Sequence, residues 1–318
     1  MMSHPEFSDR LPFIKMHGLG NDFVMLDAKH LSGLDARHLP NVDEQVLSAL
    51  TRQMCDRHRG VGADGLIVAA PPTDASRFDS RFIYFNANGE QAEMCGNGIR
   101  CFALFVHKLG LVSRNKFRVE TLAGLIEPEI LSCTATDANV RVNMGPPRLT
   151  PSLVPFIMDA LDDARPALNV DMRLHGQSFP INAVSMGNPH AVIFQDSVSD
   201  GPLDPAVFGP LLEVHPAFTA RTNVEFVTIK PAQANEPLCL ETIVWERGCG
   251  FTQACGTGAC AVAVAAILTE RVPAGAPVQV GLPGGRLDIL WSGHPQEPVW
   301  MTGPAQIAFE GVWTLNAR

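Results

Sequence analysis

The chain has 318 residues, of which 46% are hydrophobic and 18% are charged, and its formal net charge is −9. Such a composition is typical of a globular protein with one large or two medium domains, and it excludes an intrinsically disordered chain. The acidic balance, without clusters of Lys and Arg, argues against a broad nucleic-acid-binding surface.

Cellular location is predicted from targeting and membrane signals. The first residues, MMSHPEFSDRLPF, show no basic start followed by an apolar stretch, so we expect no secretory signal. No apolar stretch is long enough to suggest a membrane span. We therefore expect a soluble, cytoplasmic protein that binds neither membrane nor nucleic acid, with its eight cysteines as thiols. The chain has no Cys-x-x-Cys pair, which argues against a zinc ribbon, and no metal site is predicted.

Most predicted elements are short strands rich in Val, Ile, Thr and aromatic residues. In chain order these strands are 23–27, 65–70, 81–87, 117–122, 140–144, 191–195, 224–229, 241–246, 287–291 and 299–303. Residues 42–57 follow the period of an amphipathic helix, with Asn41 or Asp43 as its N-cap. The proline-rich stretch GPPRLTPSLVP, 145–155, is the predicted hinge between two lobes.

Two further helices are predicted to begin at cysteine- and glycine-rich turns. CGNG at 95–98 leads into IRCFALFVHKLG, and CGTG at 255–258 leads into ACAVAVAAILTE. Both segments are apolar nearly all round, which predicts buried helices, each wrapped by the strands of its own lobe. Gly110 is expected to end the first helix. The order of elements indicates an α+β fold.

The two turns belong to an internal repeat. Cys95 and Cys255 lie 160 residues apart (255 − 95), and Asn86 and Glu246 share that spacing (246 − 86). A Gly-Asn turn leading into an apolar strand also occurs twice, as GNDFVML and GNPHAVIF, at an offset of 167 (188 − 21). The repeat predicts two pseudo-equivalent lobes, each with one cysteine on a glycine turn.

The chemistry of such a turn favours acid–base catalysis beside an anion. A glycine-rich helix N-terminus presents backbone N–H groups and the positive end of the helix dipole to a carboxylate. A cysteine at that position has its thiolate stabilised. If the two turns face each other, one thiolate can remove a proton from one side of a carbon while the other thiol protonates the opposite side. General acid–base groups of this kind are each commonly worth about 10²–10⁴ in rate.

Seven blocks of sequence resemble the diaminopimelate epimerase family, in order and spacing, from about residue 13 to the C-terminus. The blocks are KMHGLGNDF (15–23), GVGADGLI (60–67), FNANG (85–89), EMCGNGIRCFA (93–103), VSMGNPH (184–190), WERG (245–248) and QACGTGACA (253–261). The resemblance implies a cofactor-independent isomerase that interconverts LL- and meso-2,6-diaminopimelate, in lysine and peptidoglycan precursor synthesis.

The resemblance also implies roles for individual residues. Cys95 and Cys255 match the two catalytic acid/base residues, and His190 and Glu246 match positions that tune the two thiols. The reacting carboxylate is expected on the main-chain N–H groups of Gly96, Asn97, Gly256 and Thr257. The amino groups and the distal carboxylate are expected on Asn21, Asn86, Asn188, Asn223, Glu246 and Arg247. The adjacent opposite charges of Glu246 and Arg247 suit a second amino-acid head.

The family fold implies two pseudo-symmetric lobes. Each is expected to be a mainly antiparallel, barrel-like sheet wrapped around a central buried helix, with the active site in the cleft between the lobes. The expected N-terminal lobe comprises residues 1–143 plus 304–318, and the C-terminal lobe residues 144–303. The family also suggests a homodimer.

Three positions depart from the family pattern. Gly65 stands where some members have a glutamine that contacts substrate, so that contact is expected to be missing or to come from the backbone. Asn88 replaces the aspartate of FNADG, which we interpret as a change of turn residue. Phe251 stands where many members have a glutamate or another residue, and it is assigned no role.

Three alternative functions stay open. A proline or hydroxyproline racemase would share the architecture, but its substrate lacks the second head for which Glu246 and Arg247 are suited. Its first motif would also be MCGHG, where this chain has Asn97. A thiol-dependent hydrolase with His190 as base would leave the second glycine turn unexplained. A non-catalytic carboxylate-binding or redox-sensing protein would form a reversible disulfide between the two cysteines.

Overall fold

Eighteen β-strands and four α-helices make up the part of the chain that the structure, a computed structural model, describes: residues 10–31, 43–158, 161–230 and 238–315. This mixed composition confirms the expected combination of helices and sheet. Contacts divide the chain into unit 1, Met1–Val142 with Pro304–Arg318, and unit 2, Asn143–Gly303. No helix in the described ranges is long and apolar enough to cross a membrane.

The first half of the chain contributes nine strands and two α-helices. They are β1 (Arg10–Gly18), β2 (Asn21–Asp27), α1 (Glu44–Cys55), β3 (Gly65–Ala70), β4 (Ser80–Asn86), β5 (Gln91–Ala92), α2 (Gly96–Lys108), β6 (Val119–Thr121), β7 (Gly124–Ile126), β8 (Glu129–Cys133) and β9 (Asp137–Asn143).

The second half contributes nine further strands and two α-helices. They are β10 (Val170–Leu174), β11 (Gln177–Ser185), β12 (Pro189–Phe194), α3 (Pro205–Glu213), β13 (Asn223–Lys230), β14 (Cys239–Glu246), β15 (Gly250–Phe251), α4 (Gly256–Leu268), β16 (Val278–Leu282), β17 (Gly285–Leu290) and β18 (Trp300–Thr314). The start of β18 pairs with β17 in unit 2, and its later residues pair with β1 in unit 1.

The internal repeat of the sequence recurs in the strand pairing. In unit 1, β1–β2 is antiparallel, β2–β3 parallel, β3–β4 antiparallel, β4–β6 parallel and β6–β7 antiparallel. In unit 2, β11, β12, β13, β14, β16 and β17 follow the same series of pairings. The helices also fall at equivalent places, because α1 and α3 each precede the third strand of a series and α2 and α4 each follow a two-residue strand.

One helix in each unit is buried, as its sequence predicts. In α2 every residue from Gly96 to Val106 is buried, and in α4 every residue from Gly256 to Ile267 is buried except Thr257. Helix α2 contacts β1, β2, β3 and β8, while α4 contacts the strands of unit 2 from β11 to β17. Alanines that are fully buried in α4, such as Ala263, allow the surrounding strands to approach the helix closely.

The remaining helices differ in how well the sequence predicts them. Helix α1 begins after Asp43, whose carboxylate accepts the Gln45 N–H (2.8 Å), so that N-cap is confirmed. The alternative cap, Asn41, lies outside the described residues. Helix α3 was not predicted from the sequence, because Gly209 and Pro210 lie within it and both disfavour a helix. Gly209 is nevertheless needed, since a Cβ there would lie 2.7 Å from the Trp245 ring.

The ten predicted strands are confirmed as segments that contain strand, although 117–122 shrinks to Val119–Thr121. Eight strands were not predicted, and two of them, β1 and β11, contain Pro12 and Pro180, which weaken the local signal for a strand. The proline-rich stretch 145–155 follows the unit boundary and packs onto unit 2, where Arg148 bridges to Ser185. Gly110 adopts φ +66° after the end of α2, as a helix-terminating glycine should.

Overpacking α4 should destabilise the protein. We expect Ala263→Leu to lower the free energy of unfolding by about 1–3 kcal/mol, because the added carbons have no space in a closed core. Urea unfolding followed by circular dichroism measures the change. Ala206→Leu, on the exposed side of α3, is the matched control and should stay within about 0.5 kcal/mol. Equal effects of the two substitutions would contradict the close packing of α4.

Candidate active site

The first cysteine turn is the N-cap of α2. Cys95 has an extended backbone (φ −139°, ψ 121°), and its Sγ accepts the Gly98 N–H at 3.4 Å. Its carbonyl accepts the Ile99 N–H (2.8 Å), so Cys95 caps the helix with both side chain and backbone. The side chain of Cys95 is half-buried. The sulfur therefore lies where the helix dipole favours negative charge.

A chain of amide groups orients Asn21 beside this cysteine. The buried Arg100 donates to Asn97 Oδ1 (3.0 Å), Asn97 Nδ2 donates to Asn21 Oδ1 (3.0 Å), and Asn21 Nδ2 donates to Asp64 Oδ2 (2.7 Å). A guanidinium only donates and a carboxylate only accepts, so both amide orientations follow from the two ends of the chain. The Asn21 carbonyl oxygen consequently faces Cys95 Sγ, at 3.8 Å.

The environment of Asn86 accounts for Gly65. The Tyr84 hydroxyl donates to Asn86 Oδ1 (2.7 Å) at the end of β4. A Cβ added at Gly65 would lie 2.5 Å from the Tyr84 ring and 2.6 Å from the Phe85 carbonyl oxygen. The tyrosine therefore occupies the space that a glutamine at 65 would need. Asn88 acts as a turn residue, as expected, because its Oδ1 accepts the Glu90 N–H (2.9 Å).

The second cysteine turn is the N-cap of α4 and repeats the geometry of the first. Cys255 is extended (φ −118°, ψ 111°), and its Sγ accepts the Gly258 N–H at 3.3 Å. Its carbonyl accepts the Ala259 N–H (2.9 Å). Unlike Cys95, Cys255 is buried, with 6% of its surface exposed. The Thr257 hydroxyl lies 3.4 Å from its sulfur.

Burial and negative charge keep Cys255 protonated. Burial raises the pKa of the Cys255 thiol well above its ordinary value, and the carboxylates of Glu246 and Glu225 raise it further. The Thr257 hydroxyl and the Gly258 N–H act in the opposite direction. Burial also raises the pKa of Glu246, which is hydrogen-bonded to the Cys255 side chain and accepts the Thr252 hydroxyl at 2.6 Å. Glu246 is thus placed to exchange a proton with the sulfur.

A hydrogen-bonded series links His190 to the same cysteine. His190 Nδ1 lies 2.6 Å from Glu225 Oε1, and both side chains are fully buried. On its other side, His190 Nε2 lies 3.1 Å from Asn188 Oδ1, and Asn188 Nδ2 donates to Thr257 Oγ1 at 3.3 Å. Because Thr257 accepts from Asn188, its own hydroxyl proton can be donated to Cys255 Sγ.

Asn223, the first residue of β13, is hydrogen-bonded to Arg247, which follows β14. Asn223 Oδ1 accepts the Arg247 main-chain N–H (2.9 Å), and Asn223 Nδ2 donates to the Pro189 carbonyl (3.1 Å). The Arg247 side chain is exposed, and its NH1 group donates to the Ala220 carbonyl (2.8 Å). Phe251, to which no role was assigned, packs edge-on against Trp245.

Thirteen sequence-predicted site residues thus form two groups, one in each unit. Cys95 shares unit 1 with Asn21, Asn86, Gly96 and Asn97, and Cys255 shares unit 2 with His190, Asn188, Asn223, Glu246, Arg247, Gly256 and Thr257. Sequence reasoning missed Asp64 and Glu225, the carboxylates that orient Asn21 and His190. They lie in the segments GVGADG and NVEF, but nothing in the local sequence indicates which distant residue each carboxylate contacts. Within the described ranges, no three His, Cys, Asp or Glu side chains converge as a metal site.

Removing the charge of Glu246 should make Cys255 easier to ionise. In Glu246→Gln we expect the pKa of the Cys255 thiol to fall, because a negative charge beside the thiolate is lost. Alkylation of Cys255 by iodoacetamide, followed by mass spectrometry from about pH 7 to 10, should then shift to lower pH, since only the thiolate reacts. Glu241→Gln, on the same strand, is the control and should leave the profile unchanged. A shift to higher pH in Glu246→Gln would contradict this electrostatic account.

The sequence matches the family model described as diaminopimelate epimerase over residues 13–150 and 182–308. Among curated proteins, the diaminopimelate epimerase of Desulforudis audaxviator is 47% identical over 303 residues, covering 95% of this chain and 99% of the relative. The diaminopimelate epimerase of Stutzerimonas stutzeri is 44% identical over 303 residues, with 95% and 98% covered.

Solved structures with the same fold are more distant in sequence. A phenazine biosynthesis protein of the PhzF family from Bacillus anthracis superimposes with a TM-score of 0.64 at 12% identity, covering 96% of this chain and 99% of that one. A hydroxyproline epimerase from Agrobacterium vitis gives a TM-score of 0.63 at 15% identity, with 98% and 94% covered. At these identities the likeness establishes the fold alone. The family model and the curated relatives, both spanning most of the sequence, establish that this chain belongs to the diaminopimelate epimerase family of isomerases.

Proposed function

We propose that the chain interconverts LL- and meso-2,6-diaminopimelate by moving the α-proton between Cys95 and Cys255. One observation carries the proposal: in a chain of this family, each of two units begins its buried helix with a cysteine whose sulfur caps the helix. Each helix N-terminus supplies main-chain N–H groups for a carboxylate, and each supplies one sulfur. Inversion at a carbon that carries a carboxylate needs two acid–base groups, and the two cysteines supply them.

The proton balance is complete without a further reactant. In one direction, the Cys95 thiolate removes the α-proton and becomes a thiol, leaving a carbanion delocalised into the carboxylate. Cys255 then donates its thiol proton to the opposite face of the α-carbon and becomes a thiolate. The stereocentre is inverted, and the two sulfurs have exchanged protonation states. Each of the two steps uses a positioned acid or base in the manner of general acid–base catalysis.

The elevated pKa of Cys255 agrees with this direction, because a buried thiol beside two carboxylates enters as the acid. In the reverse direction Cys255 is the base, and the Thr257 hydroxyl and the Gly258 N–H stabilise its thiolate. Glu246 holds the thiol proton through its hydrogen bond with Cys255. His190 and Glu246 are therefore proposed to tune the thiols.

We assign the reacting carboxylate to the main-chain N–H groups of Gly96, Asn97, Gly256 and Thr257. These are the first two N–H groups of each helix, at the end where the helix dipole favours an anion, and the next two are engaged by the capping cysteine. As the α-proton leaves, negative charge accumulates on the carboxylate oxygens. Preorganised N–H donors stabilise such developing charge.

The rest of the substrate is assigned to polar side chains around these turns. Glu246 and Arg247 offer a carboxylate and a guanidinium to the second amino-acid head, and Arg binds carboxylates bidentately. Asn21 presents its carbonyl oxygen, since its amide nitrogen is bonded to Asp64, so it suits an ammonium group. Amide contacts from Asn86, Asn188 and Asn223 complete the proposed set. No cofactor enters the scheme.

The finer architecture is part of the same proposal. The recurrence of one pairing series in both units supports two pseudo-symmetric lobes, with N-terminal residues 1–143 plus 304–318 and C-terminal residues 144–303. Inversion by two bases requires that the two sulfurs face opposite sides of one α-carbon, which is the reason for proposing a cleft site between the lobes. A homodimer, which the family suggests, and a cytoplasmic location, which was expected from the sequence, stay predictions.

Isotope exchange tests the function. In heavy water, the reduced enzyme with LL-diaminopimelate and no added pyridoxal phosphate or metal should place deuterium at the α-carbon while the meso isomer accumulates. NMR and chiral chromatography follow the two products. L-proline and trans-4-hydroxy-L-proline are the comparison substrates, and neither should exchange. Exchange of a proline but not of diaminopimelate would instead support the racemase alternative, and no exchange at all would exclude an epimerase.

Loss of either sulfur should abolish epimerisation. We expect Cys95→Ala and Cys255→Ala each to lower kcat by at least about 10²-fold, because one acid–base group is lost in each. The buried Cys101→Ala, on α2 but away from its first turn, is the matched control and should retain near-normal turnover. Near-normal activity in either single variant of the capping cysteines would contradict a two-base mechanism.

A further inference from the structure

Glu246, the last residue of β14, and Arg247 lie in the segment Trp245–Gly248, which we call the Trp245–Gly248 turn. One carboxylate contacts both ends of this segment. Trp245, just before Glu246, donates its indole Nε1–H to Glu213 Oε2 at 2.8 Å. Gly248, just after Arg247, donates its main-chain N–H to Glu213 Oε1 at 3.0 Å. The two residues proposed to bind the second amino-acid head are therefore bracketed by contacts to Glu213.

Glu213 itself is buried and surrounded by donors. Only 8% of its surface is exposed, although it is the last residue of α3. Besides Trp245 and Gly248, the Arg221 NH1 group approaches Oε1 at 3.3 Å. A carboxylate has acceptor sites only, so each of these three donors is matched by an oxygen. Charge-assisted hydrogen bonds of this kind are stronger than neutral ones and fix geometry more tightly.

Helix α3 is itself held against the strand that leads into the turn. The absence of a side chain at Gly209 lets the Trp245 ring pack directly on the helix backbone. On its far side the same ring contacts Phe251 edge-on, at 5.0 Å between centroids. The turn also needs Gly248, whose φ of +78° is rarely adopted by other residues. The position of Glu213 relative to Glu246 and Arg247 is thus set by packing as well as by hydrogen bonds.

We propose that Glu213 is a positioning residue for substrate recognition, which holds the Trp245–Gly248 turn so that Glu246 and Arg247 meet the second amino-acid head of the substrate. This inference rests on the proposed function. Glu213 acts through these two neighbours and touches neither the reacting carbon nor the sulfurs. Because the Thr252 hydroxyl also holds the Glu246 carboxylate, the contact of Glu246 with Cys255 should persist when Glu213 is replaced. Loss of Glu213 should therefore weaken binding of a substrate with two heads more than it slows proton transfer.

Glu213→Gln is the sharpest test, because it keeps the shape and replaces one acceptor oxygen by a donor. Either the Trp245 indole N–H or the Gly248 N–H then faces an NH₂ group, so one end of the turn is released. We expect KM for LL-diaminopimelate to rise about tenfold and kcat to change by less than about threefold. Glu241→Gln, on β14 but outside the turn, is the matched control and should keep KM within about twofold.

A second substitution should relieve the donor–donor conflict. In Glu213→Gln/Trp245→Phe the amide NH₂ can face a ring that has no N–H, while its oxygen still accepts from Gly248. We expect the KM of this double variant to be lower than that of Glu213→Gln and close to that of Trp245→Phe alone. A purely structural role for Glu213 predicts the reverse, since the smaller ring would add a packing defect to an existing one. Should Glu213→Gln fold poorly, Trp245→Phe alone tests the same contact, with an expected rise in KM of about threefold.

A double-mutant cycle with Arg247→Met connects the effect to substrate binding. If Glu213 acts through the turn, Glu213→Gln should raise KM much less in the Arg247→Met background than in the wild-type background. A wild-type KM in Glu213→Gln, or equal effects in both backgrounds, would overturn the inference. These outcomes leave the proposed function intact, because the wild-type exchange assay alone decides whether the chain epimerises diaminopimelate.

Discussion

The backbone N–H groups in the first turn of an α-helix have no carbonyl acceptor within the helix. In both units of this protein, such a turn begins a buried helix. An uncompensated buried N–H costs about as much as a lost hydrogen bond, so each helix start needs an acceptor. A cysteine supplies it twice, through its carbonyl and through its sulfur. The same N–H groups and helix dipole that demand an acceptor also favour negative charge on that sulfur. In the proposed mechanism, one residue thus both caps the helix and acts as acid or base.

Glycine at the third position after each cysteine follows from the same geometry. A Cβ at Gly258 would lie 2.8 Å from Glu225 Oε1 and 3.3 Å from the Cys255 sulfur. At Gly98 the corresponding obstacles are an Ile67 methyl group at 2.9 Å and the Cys95 Cβ. Unit 2 therefore packs a carboxylate where unit 1 packs an aliphatic side chain. The two copies of the turn therefore have different electrostatic surroundings.

In the proposed mechanism, this difference separates the roles of the two sulfurs. Cys255 is buried, and the burial together with the carboxylates of Glu246 and Glu225 raises the pKa of its thiol. Around Cys95, the buried Arg100 guanidinium starts the chain of amides that ends at Asp64. A two-base enzyme needs one acid and one base at the outset, and two identical surroundings would not distinguish them. The asymmetry around the repeated motif is thus as necessary as the repeat itself.

The two capping cysteines, the buried helices behind them and the repeat could be predicted from the sequence alone, because each depends on local signals. These signals are glycine beside cysteine, apolar residues nearly all round each helix and a constant spacing of 160 residues. Most strands followed from their β-branched and aromatic content. Helix α3 did not, because Gly209 and Pro210 oppose a helix locally and only packing against Trp245 explains the glycine. The contacts of Asp64, Glu213 and Glu225 could not be predicted from the sequence either. Each of these carboxylates is hydrogen-bonded to a side chain 43, 32 or 35 positions away in the sequence. Such partners come together only when the chain folds, so local sequence does not indicate them.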